Sequence, residues 1–179
     1  MKRLTLPIAA VMTLVLAFPA SAEGDIHGTV TMQMNPGAGM DPCPEVNWFG
    51  TVEFTDTGAQ DGTYGLVLTS TGEQGVYRGD AYLFEENYSV MTEPLALDTE
   101  GVLTACEAGE VVLSGWDAGV GLMPKNEFWD TGYVEVAAGP FDGWTGARTY
   151  QDGAFTEFIE LDDGTPFPSS YEGTFRLQP

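Results

Sequence analysis

The side chains that could carry out chemistry are few, and most of them are carboxylates. The chain has one histidine (His27), two cysteines, 27 Asp and Glu residues and 6 Lys and Arg residues, with a formal net charge of −21. Hydrolysis by a Ser or Cys nucleophile needs a base beside the nucleophile. The single histidine and the absence of a G-x-S-x-G motif therefore disfavour a Ser/His or Cys/His hydrolase, and they leave open whether the protein is an enzyme.

Two groups of possible metal ligands have plainer explanations. The first group combines an imidazole with thioethers, a set of ligands that suits Cu(I). Its members are His27, Met32, Met34 and Met40. In a strand the histidine would face away from the first two methionines, so packing of the methionines in a core is the simpler interpretation. The second consists of acidic loops of the kind that bind Ca²⁺, at Asp56–Asp61, Asp98–Glu100 and Asp162–Asp163. None of them fits an EF-hand, so we predict solvated turns, no metal ion and no cofactor.

Aromatic and polar side chains on one face of the predicted strands indicate a binding cavity. Ligand cavities are mostly apolar with a few placed polar groups, and arginine binds acidic or carbonyl groups. The predicted ligand-binding residues are Trp48, Tyr64, Arg78, Tyr82, Tyr133, Trp144, Arg148 and Tyr150. For a catalytic barrel, Glu135 or Glu53 would serve as general acid or base, with an arginine stabilising the developing charge.

The charge balance limits the partners. After the first 22 residues the chain keeps only four basic residues, Arg78, Lys125, Arg148 and Arg176. Such a surface cannot neutralise a phosphate backbone and is not attracted to anionic lipid, so we expect no nucleic-acid partner. Hydrophobic residues at 43% and aromatic residues at 12% predict a folded protein rather than a disordered acidic tail. The composition does not indicate the oligomeric state.

Residues 1–22 have the pattern of a cleaved signal peptide. Lys2 and Arg3 form a basic start, Ile8–Phe18 is apolar, and Pro19–Ala22 supplies small residues before a cleavage site. The apolar run is too short to span a membrane, so we predict export to the periplasm or beyond and one domain over residues 23–179. Because an even pair of cysteines in an oxidising compartment usually forms a disulfide, we also predict a Cys43–Cys106 bridge.

The rest of the chain has the composition and the turn spacing of an all-β protein. Short segments rich in Val, Thr, Tyr, Phe and Trp alternate with turns rich in Gly and Pro, such as Asp152–Gly153 and Asp163–Gly164. Only Tyr88–Leu97 could form a turn of helix. The predicted strands are Ile26–Met34, Val46–Phe54, Thr63–Ser70, Gly75–Glu85, Glu110–Trp116, Gly132–Ala138, Trp144–Tyr150, Ala154–Leu161 and Ser170–Leu177. We predict a single antiparallel barrel of eight or nine strands with up-and-down, calycin-like connections, because closure removes exposed edges; a β-sandwich or jelly roll is the alternative.

The last third of the chain carries a family resemblance. The run Ala138–Ala147 (AGPFDGWTGA) is followed by a strand pair and by Tyr171–Leu177 (YEGTFRL). This region, about 40 residues long, resembles the closing part of the allene-oxide-cyclase-like barrels, small eight-stranded proteins of calycin type. There a G-x-F-x-G-x-x-G turn leads into the closing hairpins. The resemblance implies a barrel with an apolar cavity, as in the cyclases and dirigent-like proteins of that group, and it assigns no catalytic residue here.

Three functions are consistent with these features. The favoured one is an exported barrel that holds a small apolar or aromatic molecule in its cavity. One alternative is a cofactor-independent cyclase or isomerase that acts on such a molecule in the same barrel. The other is a surface-interaction or carbohydrate-binding protein that uses Trp116 and Trp129.

The export prediction can be checked by mass. We expect the secreted protein to begin at Glu23, because signal peptidase cleaves after small residues such as Ala22. Intact-mass measurement of protein secreted by a bacterial host tests this expectation. A mature chain that retains Ala22, or a protein found only in the cytoplasm, would contradict it.

Overall fold

The computed structural model describes residues 26–55, 61–70, 76–137, 141 and 148–178. This part is built from antiparallel strands joined by loops and by a 3-10 turn at Met123–Lys125. The strands are β1 Ile26–Met34, β2 Trp48–Phe54, β3 Gly62–Ser70, β4 Val76–Arg78, β5 Ala81–Met91, β6 Val111–Leu122, β7 Glu127–Ala137, β8 Arg148–Glu160 and β9 Pro166–Gln178. Within these ranges, no helix has the length and apolar character needed to cross a membrane.

Eight of the strands close into a barrel. Leaving β4 aside, each strand pairs with the next one along the chain, and β9 returns to pair with β1 over Ile26–Gln33. The short β4 is an additional strand that pairs with the first residues of β5. The predicted up-and-down barrel is therefore confirmed, and the closed ring of pairings replaces the sandwich alternative.

Alternation along the strands decides which side chains fill the barrel. In β1 the buried residues Ile26, Val30 and Met32 alternate with exposed ones, among them His27. Successive side chains of a strand point to opposite faces, so the first three face the interior and the histidine faces outward. The interior is packed with apolar and aromatic side chains from all eight barrel strands.

A second, smaller core lies on the outer face of the sheet. It consists of Cys43, Val46, Phe49, Val67, Met91 and Leu103. Phe49 and Val67 alternate with the inward-facing residues of β2 and β3, so they pack beneath the loops 35–47 and 92–110. The predicted Cys43–Cys106 disulfide joins these two loops, with Cα atoms 5.3 Å apart and a sequence separation of 63 residues. A loop of that length corresponds to about 4 kcal/mol in the chain-entropy model.

The predicted turn at Asp152–Gly153 is wrong. These residues lie inside β8, where Gly153 pairs with Gly173 of β9. A Cβ on Gly153 would lie 2.7 Å from the Gly173 Cα and 2.7 Å from the ring of Phe128. The glycine is needed for close packing inside the barrel, not for a turn, and one continuous strand replaces the two predicted ones. Tyr88–Leu97, where the sequence allowed at most one turn of helix, contains none, since β5 continues to Met91.

The packing at Gly153 predicts a large difference between adjacent positions of β8. Gly153→Ala should lower the free energy of unfolding by about 1–3 kcal/mol, because its methyl group overpacks the interior. Ala154→Val, one residue along and exposed, should change it by no more than about 0.5 kcal/mol. Urea denaturation of both variants measures the difference. Equal stabilities would show that the interior at Gly153 has room to spare.

Candidate functional site

Three carboxyl groups and one amide lie inside the barrel, one on each of four neighbouring strands. Glu86 of β5 is 7% exposed, Asp117 of β6 is 2%, Asp130 of β7 is 3% and Gln151 of β8 is 2%. Glu86 lies directly opposite Asp117, and Asp130 lies directly opposite Gln151. Such partners have Cα atoms about 4.5–5.5 Å apart. We refer to these four residues as the polar belt.

Glycines on β6 make room for the polar belt and for the rings beside it. Gly115 and Gly119 lie two residues before and after Asp117, on the same face of the strand. A Cβ on Gly119 would collide with the ring of Phe84 and would lie 2.7 Å from the Asp130 Cβ. The missing side chains therefore allow bulky groups from both adjacent strands to lie across β6. The Tyr88 hydroxyl, which lies over Gly115, donates a hydrogen bond of 3.3 Å to the carbonyl oxygen of Tyr133.

The carboxyl groups of the polar belt are harder to ionise than exposed ones. Burial raises the pKa of Asp117 to about 7. Burial, and then the charge of Asp117, raise the pKa of Glu86 well above its usual value. For Asp130 burial is again the main cause of a raised pKa, followed by the charges of Asp117 and Glu86, while a backbone hydrogen bond from Gln151 acts in the opposite direction.

No basic side chain compensates these acids among the side chains that the structure describes. Arg78 and Lys125 are exposed, and Arg176 alternates with the inward-facing Phe175 and Leu177 on β9. In an apolar interior an uncompensated carboxylate is unfavourable and takes up a proton instead. Neutral acids are therefore the preferred form of the polar belt at acidic and near-neutral pH.

Several polar atoms of the belt lack a hydrogen bond. Within the described ranges, Oδ1 of Asp117, Oδ1 of Asp130 and Nε2 of Gln151 are buried and have no partner. A buried polar atom without a partner costs about 1–3 kcal/mol. The belt therefore offers two acceptor positions and one donor position to a molecule that reaches it.

A cleft at one end of the barrel reaches the polar belt. Its walls are mostly aromatic, and its lining consists of Trp48, Tyr82, Phe84, Glu86, Phe128, Asp130, Phe155, Phe167, Pro168 and Tyr171. We call it the aromatic cleft. Trp48, Tyr82, Phe84 and Phe167 are only half-buried, so the cleft extends to the surface.

The aromatic cleft is narrow in this structure. The space that can hold the centre of a water molecule is about 30 Å³, which corresponds to two or three waters at roughly 10–15 Å³ each. A ligand with an aromatic ring is larger than this space. Half-buried rings border it, among them Tyr82 and Phe167, whose centroids lie 6.0 Å apart in an edge-on arrangement.

The far side of the interior is filled by rings. Phe54 lies 5.2 Å from Phe141, 5.5 Å from Tyr64 and 6.1 Å from Phe175 between ring centroids, in edge-on arrangements. All four side chains are at most 8% exposed. Edge-on packing of this kind is favourable beyond the area it buries. Access to the polar belt is therefore through the aromatic cleft.

The structure separates the predicted ligand-binding residues. Trp48 and Tyr82 line the aromatic cleft, whereas Tyr64 belongs to the filled end. The prediction that Arg78 points into the barrel is wrong, because it lies on the extra strand β4 and is exposed. Tyr133 is also not inward-facing: it is 45% exposed on β7.

The remaining predicted residues are not brought to the cleft. Glu53, a predicted acid or base, is exposed and alternates with the buried Val52 and Phe54 on β2, so it faces away from the interior. Trp144 lies outside the described residues, and so do the side chains of Arg148, Tyr150 and Glu135. The predicted signal peptide, and the resembling run Ala138–Ala147 apart from Phe141, lie outside them as well.

Sequence reasoning missed the polar belt because of where it ended the strands. The predicted strands stopped at Glu85 and Trp116, one residue before Glu86 and Asp117, and a third began at Gly132, two residues after Asp130. Asp and Glu are depleted in strands, so a local pattern does not indicate that a strand continues through them. The indication in the sequence was the spacing of residues along β6. Gly115, Asp117, Gly119 and Gly121 lie two residues apart and so share one face, where the glycines leave room for rings.

The two groups of possible metal ligands noted in the sequence are not assembled into a site in the described residues. No group of three His, Cys, Asp or Glu side chains is placed there to hold a metal ion. Met32 is buried in the barrel while His27 faces outward. Of the acidic loops, Asp98 accepts hydrogen bonds from the N–H groups of Glu100 and Val102 at 2.8 and 2.9 Å, as in an ordinary polar turn.

Two tryptophans lie on the outer face of the barrel. Trp129 is 46% exposed, and Trp116 packs against Tyr133 with ring centroids 5.9 Å apart. Trp129 therefore has the exposure that the surface-binding alternative requires, whereas Trp116 is half-buried. Neither contributes to the aromatic cleft.

Comparison with known proteins gives no relative: no family model, curated protein or solved structure matches the chain.

The polar belt predicts that the protein is more stable in mild acid than in mild base. Its acids have a higher pKa in the folded than in the unfolded state, so the folded state binds more protons between the two values. The free energy of unfolding then falls as the pH rises from about 4 through the folded-state pKa, about 7 for Asp117. The melting temperature should be several degrees lower at pH 8 than at pH 5.

Substitution separates this effect from the repulsion among surface acids. Glu86→Gln should reduce the difference in melting temperature between pH 5 and pH 8. Glu85→Gln removes the same charge from the adjacent, exposed position, and it should leave the difference almost unchanged. Thermal melts at both pH values measure the effect. Identical behaviour of the two variants would mean that Glu86 is ionised in the folded protein over this range.

Proposed function

We propose that this protein is an exported barrel that binds a small organic molecule with an aromatic or apolar group in the aromatic cleft. The observation that carries the proposal is the composition of the cleft. Ring walls from β2, β5, β7, β8 and β9 surround a space whose inner end holds the carboxyl groups of Glu86 and Asp130. Binding sites for small molecules combine apolar walls with a few convergent polar groups in this way.

The asymmetry of the interior supports binding at this end. The rings around Phe54 and Phe141 pack against one another on one side of the interior, whereas several rings of the aromatic cleft are half-buried and border an open space. A barrel stabilised only by packing has no need for three buried acids, because uncompensated charge and unpaired polar atoms reduce stability. Groups that are costly to the fold are commonly retained for function.

The polar anchors of the proposed site differ from those expected from the sequence. Arg78 was expected to bind an acidic or carbonyl group of the ligand, but it is exposed on β4. Glu86 and Asp130 take the corresponding place at the inner end of the cleft. The proposed site therefore favours ligands that donate hydrogen bonds or carry positive charge over anionic ligands.

Export fits this proposal. The Cys43–Cys106 disulfide is of a kind that persists in oxidising compartments such as the bacterial periplasm or the extracellular space. A carrier outside the cytoplasm meets its ligand there.

A cyclase or isomerase is the second candidate, and one observation favours it. A carboxyl group kept neutral by burial can act as a general acid near neutral pH, and Glu86 and Asp130 have raised pKa values within the cleft. In this proposal they take the role that the sequence assigned to Glu135 or Glu53. Conversion of a bound molecule, compared between wild type and Glu86→Gln, would distinguish an enzyme from a carrier.

Binding can be tested with a neutral aromatic probe, N-phenyl-1-naphthylamine, whose fluorescence rises in apolar sites. We expect saturable binding that weakens about tenfold in Trp48→Ala and in Tyr82→Ala, because both side chains form walls of the cleft. Trp129→Ala is the matched control, since it removes an exposed ring from the outer face. It should change the Kd less than twofold.

Two outcomes would contradict the binding proposal. One is the absence of saturable probe binding, together with no co-purifying small molecule in native mass spectra of protein from its own host. The other is a loss of binding in Trp129→Ala that equals the loss in the cleft variants. The latter result would favour a surface-binding function at the outer tryptophans.

A further inference from the structure

The inner end of the aromatic cleft holds two carboxyl groups and, among the described side chains, no positive charge. Asp130 is 3% exposed, lines the cleft, and its Oδ1 has no hydrogen-bond partner in the described part of the protein. Glu86 lines the cleft beside it, and Asp117 lies opposite Glu86 on the next strand. The described basic side chains are exposed or alternate with inward-facing residues, so none of them supplies a counter-ion.

The walls of the cleft have the complementary property. The faces of aromatic rings carry negative electrostatic potential and attract organic cations. Trp48, Tyr82, Phe84, Phe128 and Phe155 all contribute rings to the lining. Ring faces with carboxylates at the inner end are selective for a cation that also has apolar surface, and they disfavour a strongly hydrated metal ion.

We propose that the ligand of this cleft is an organic ammonium compound with an aromatic or apolar tail, whose ammonium group is bound by Glu86 and Asp130. This inference rests on the binding function proposed above and specifies its ligand class. An ammonium group has three N–H donors and can satisfy the unpartnered Oδ1 of Asp130 together with the Glu86 carboxylate. The tail would occupy the space beneath Tyr82, Phe84 and Phe167.

Binding of an ammonium group requires that the acids it contacts lose their protons. The titratable side chains around the site are Glu86, Asp117 and Asp130 of the polar belt, Tyr82 and Tyr88 of β5 and Tyr171 of β9, with Asp152 exposed nearby on β8. Burial raises the pKa of Tyr82 to about 12 and also raises that of Tyr171, so both remain neutral. The cation should therefore displace protons from the polar belt and bind more weakly as the pH falls.

The experiment compares three probes of nearly the same shape by isothermal titration calorimetry at pH 7.5. They are 2-phenylethylammonium, the neutral 2-phenylethanol and the anionic 3-phenylpropanoate. We expect the ammonium compound to bind at least tenfold more tightly than the alcohol and the carboxylate to show no binding. Its affinity should fall at least tenfold between pH 8 and pH 5, and titrations in buffers of different ionisation enthalpy should show proton release.

Matched variants assign the effect to the proposed residues. Glu86→Gln and Asp130→Asn keep the shape of the side chains and should each reduce the affinity for 2-phenylethylammonium at least tenfold. The affinity for 2-phenylethanol should fall less than that for the ammonium compound, because the alcohol forms no ion pair with these side chains. Far-UV circular dichroism spectra that match wild type show that the variants are folded. Glu85→Gln, with its exposed side chain at the adjacent position, should leave both affinities within twofold of wild type.

The results separate this inference from the binding function on which it rests. Equal binding of the ammonium compound and the alcohol, or unchanged ammonium binding in both acid variants, would overturn the ammonium inference and leave a site for neutral ligands. An equal loss in Glu85→Gln would assign the preference to the overall negative charge and would also overturn it. Failure of every probe, including N-phenyl-1-naphthylamine, would overturn the binding function itself.

Discussion

Closure of the sheet is the constraint on which the rest of this structure depends. The pairing of β9 with β1, together with that of β3 with β5, leaves the eight barrel strands without free edges. Closure also creates an interior, which the aromatic cleft connects to the surface. Side chains that face this interior must either pack or find polar partners, and every unusual feature of the site follows from how they do so.

Glycine is the means by which the interior holds so many rings. Gly119, Gly121 and Gly153 each lie under an aromatic ring from another strand, at positions where a Cβ would collide with it. Barrels of eight strands have just enough internal width for side chains to fill, so large rings on some strands require missing side chains on others. The same arrangement leaves the barrel interior open at the aromatic cleft and packed with rings around Phe54 and Phe141.

The polar belt is the part of the interior that packing does not explain. Its three acids are buried beside one another without a described basic partner, and two of their oxygens lack hydrogen bonds. This arrangement lowers stability at neutral pH and produces a neutral, proton-holding site at the base of an apolar cleft. A carrier for organic cations and a general-acid catalyst would use this property in different ways, the first by releasing the protons and the second by transferring one.

The amino-acid sequence by itself determined the strand-rich texture, the barrel class and the pairing of Cys43 with Cys106, because turn residues, alternation and cysteine number are local or countable properties. It also identified Trp48 and Tyr82 as cavity residues from their alternation. Only the tertiary structure decided that Arg78 is exposed on a strand outside the barrel and that Gly153 is needed for close packing in the interior. It also decided that Glu86, Asp117 and Asp130 face the interior together. The physical reason is that burial of a charged residue depends on pairing between strands distant in sequence, and a local pattern treats the same residue as the end of a strand.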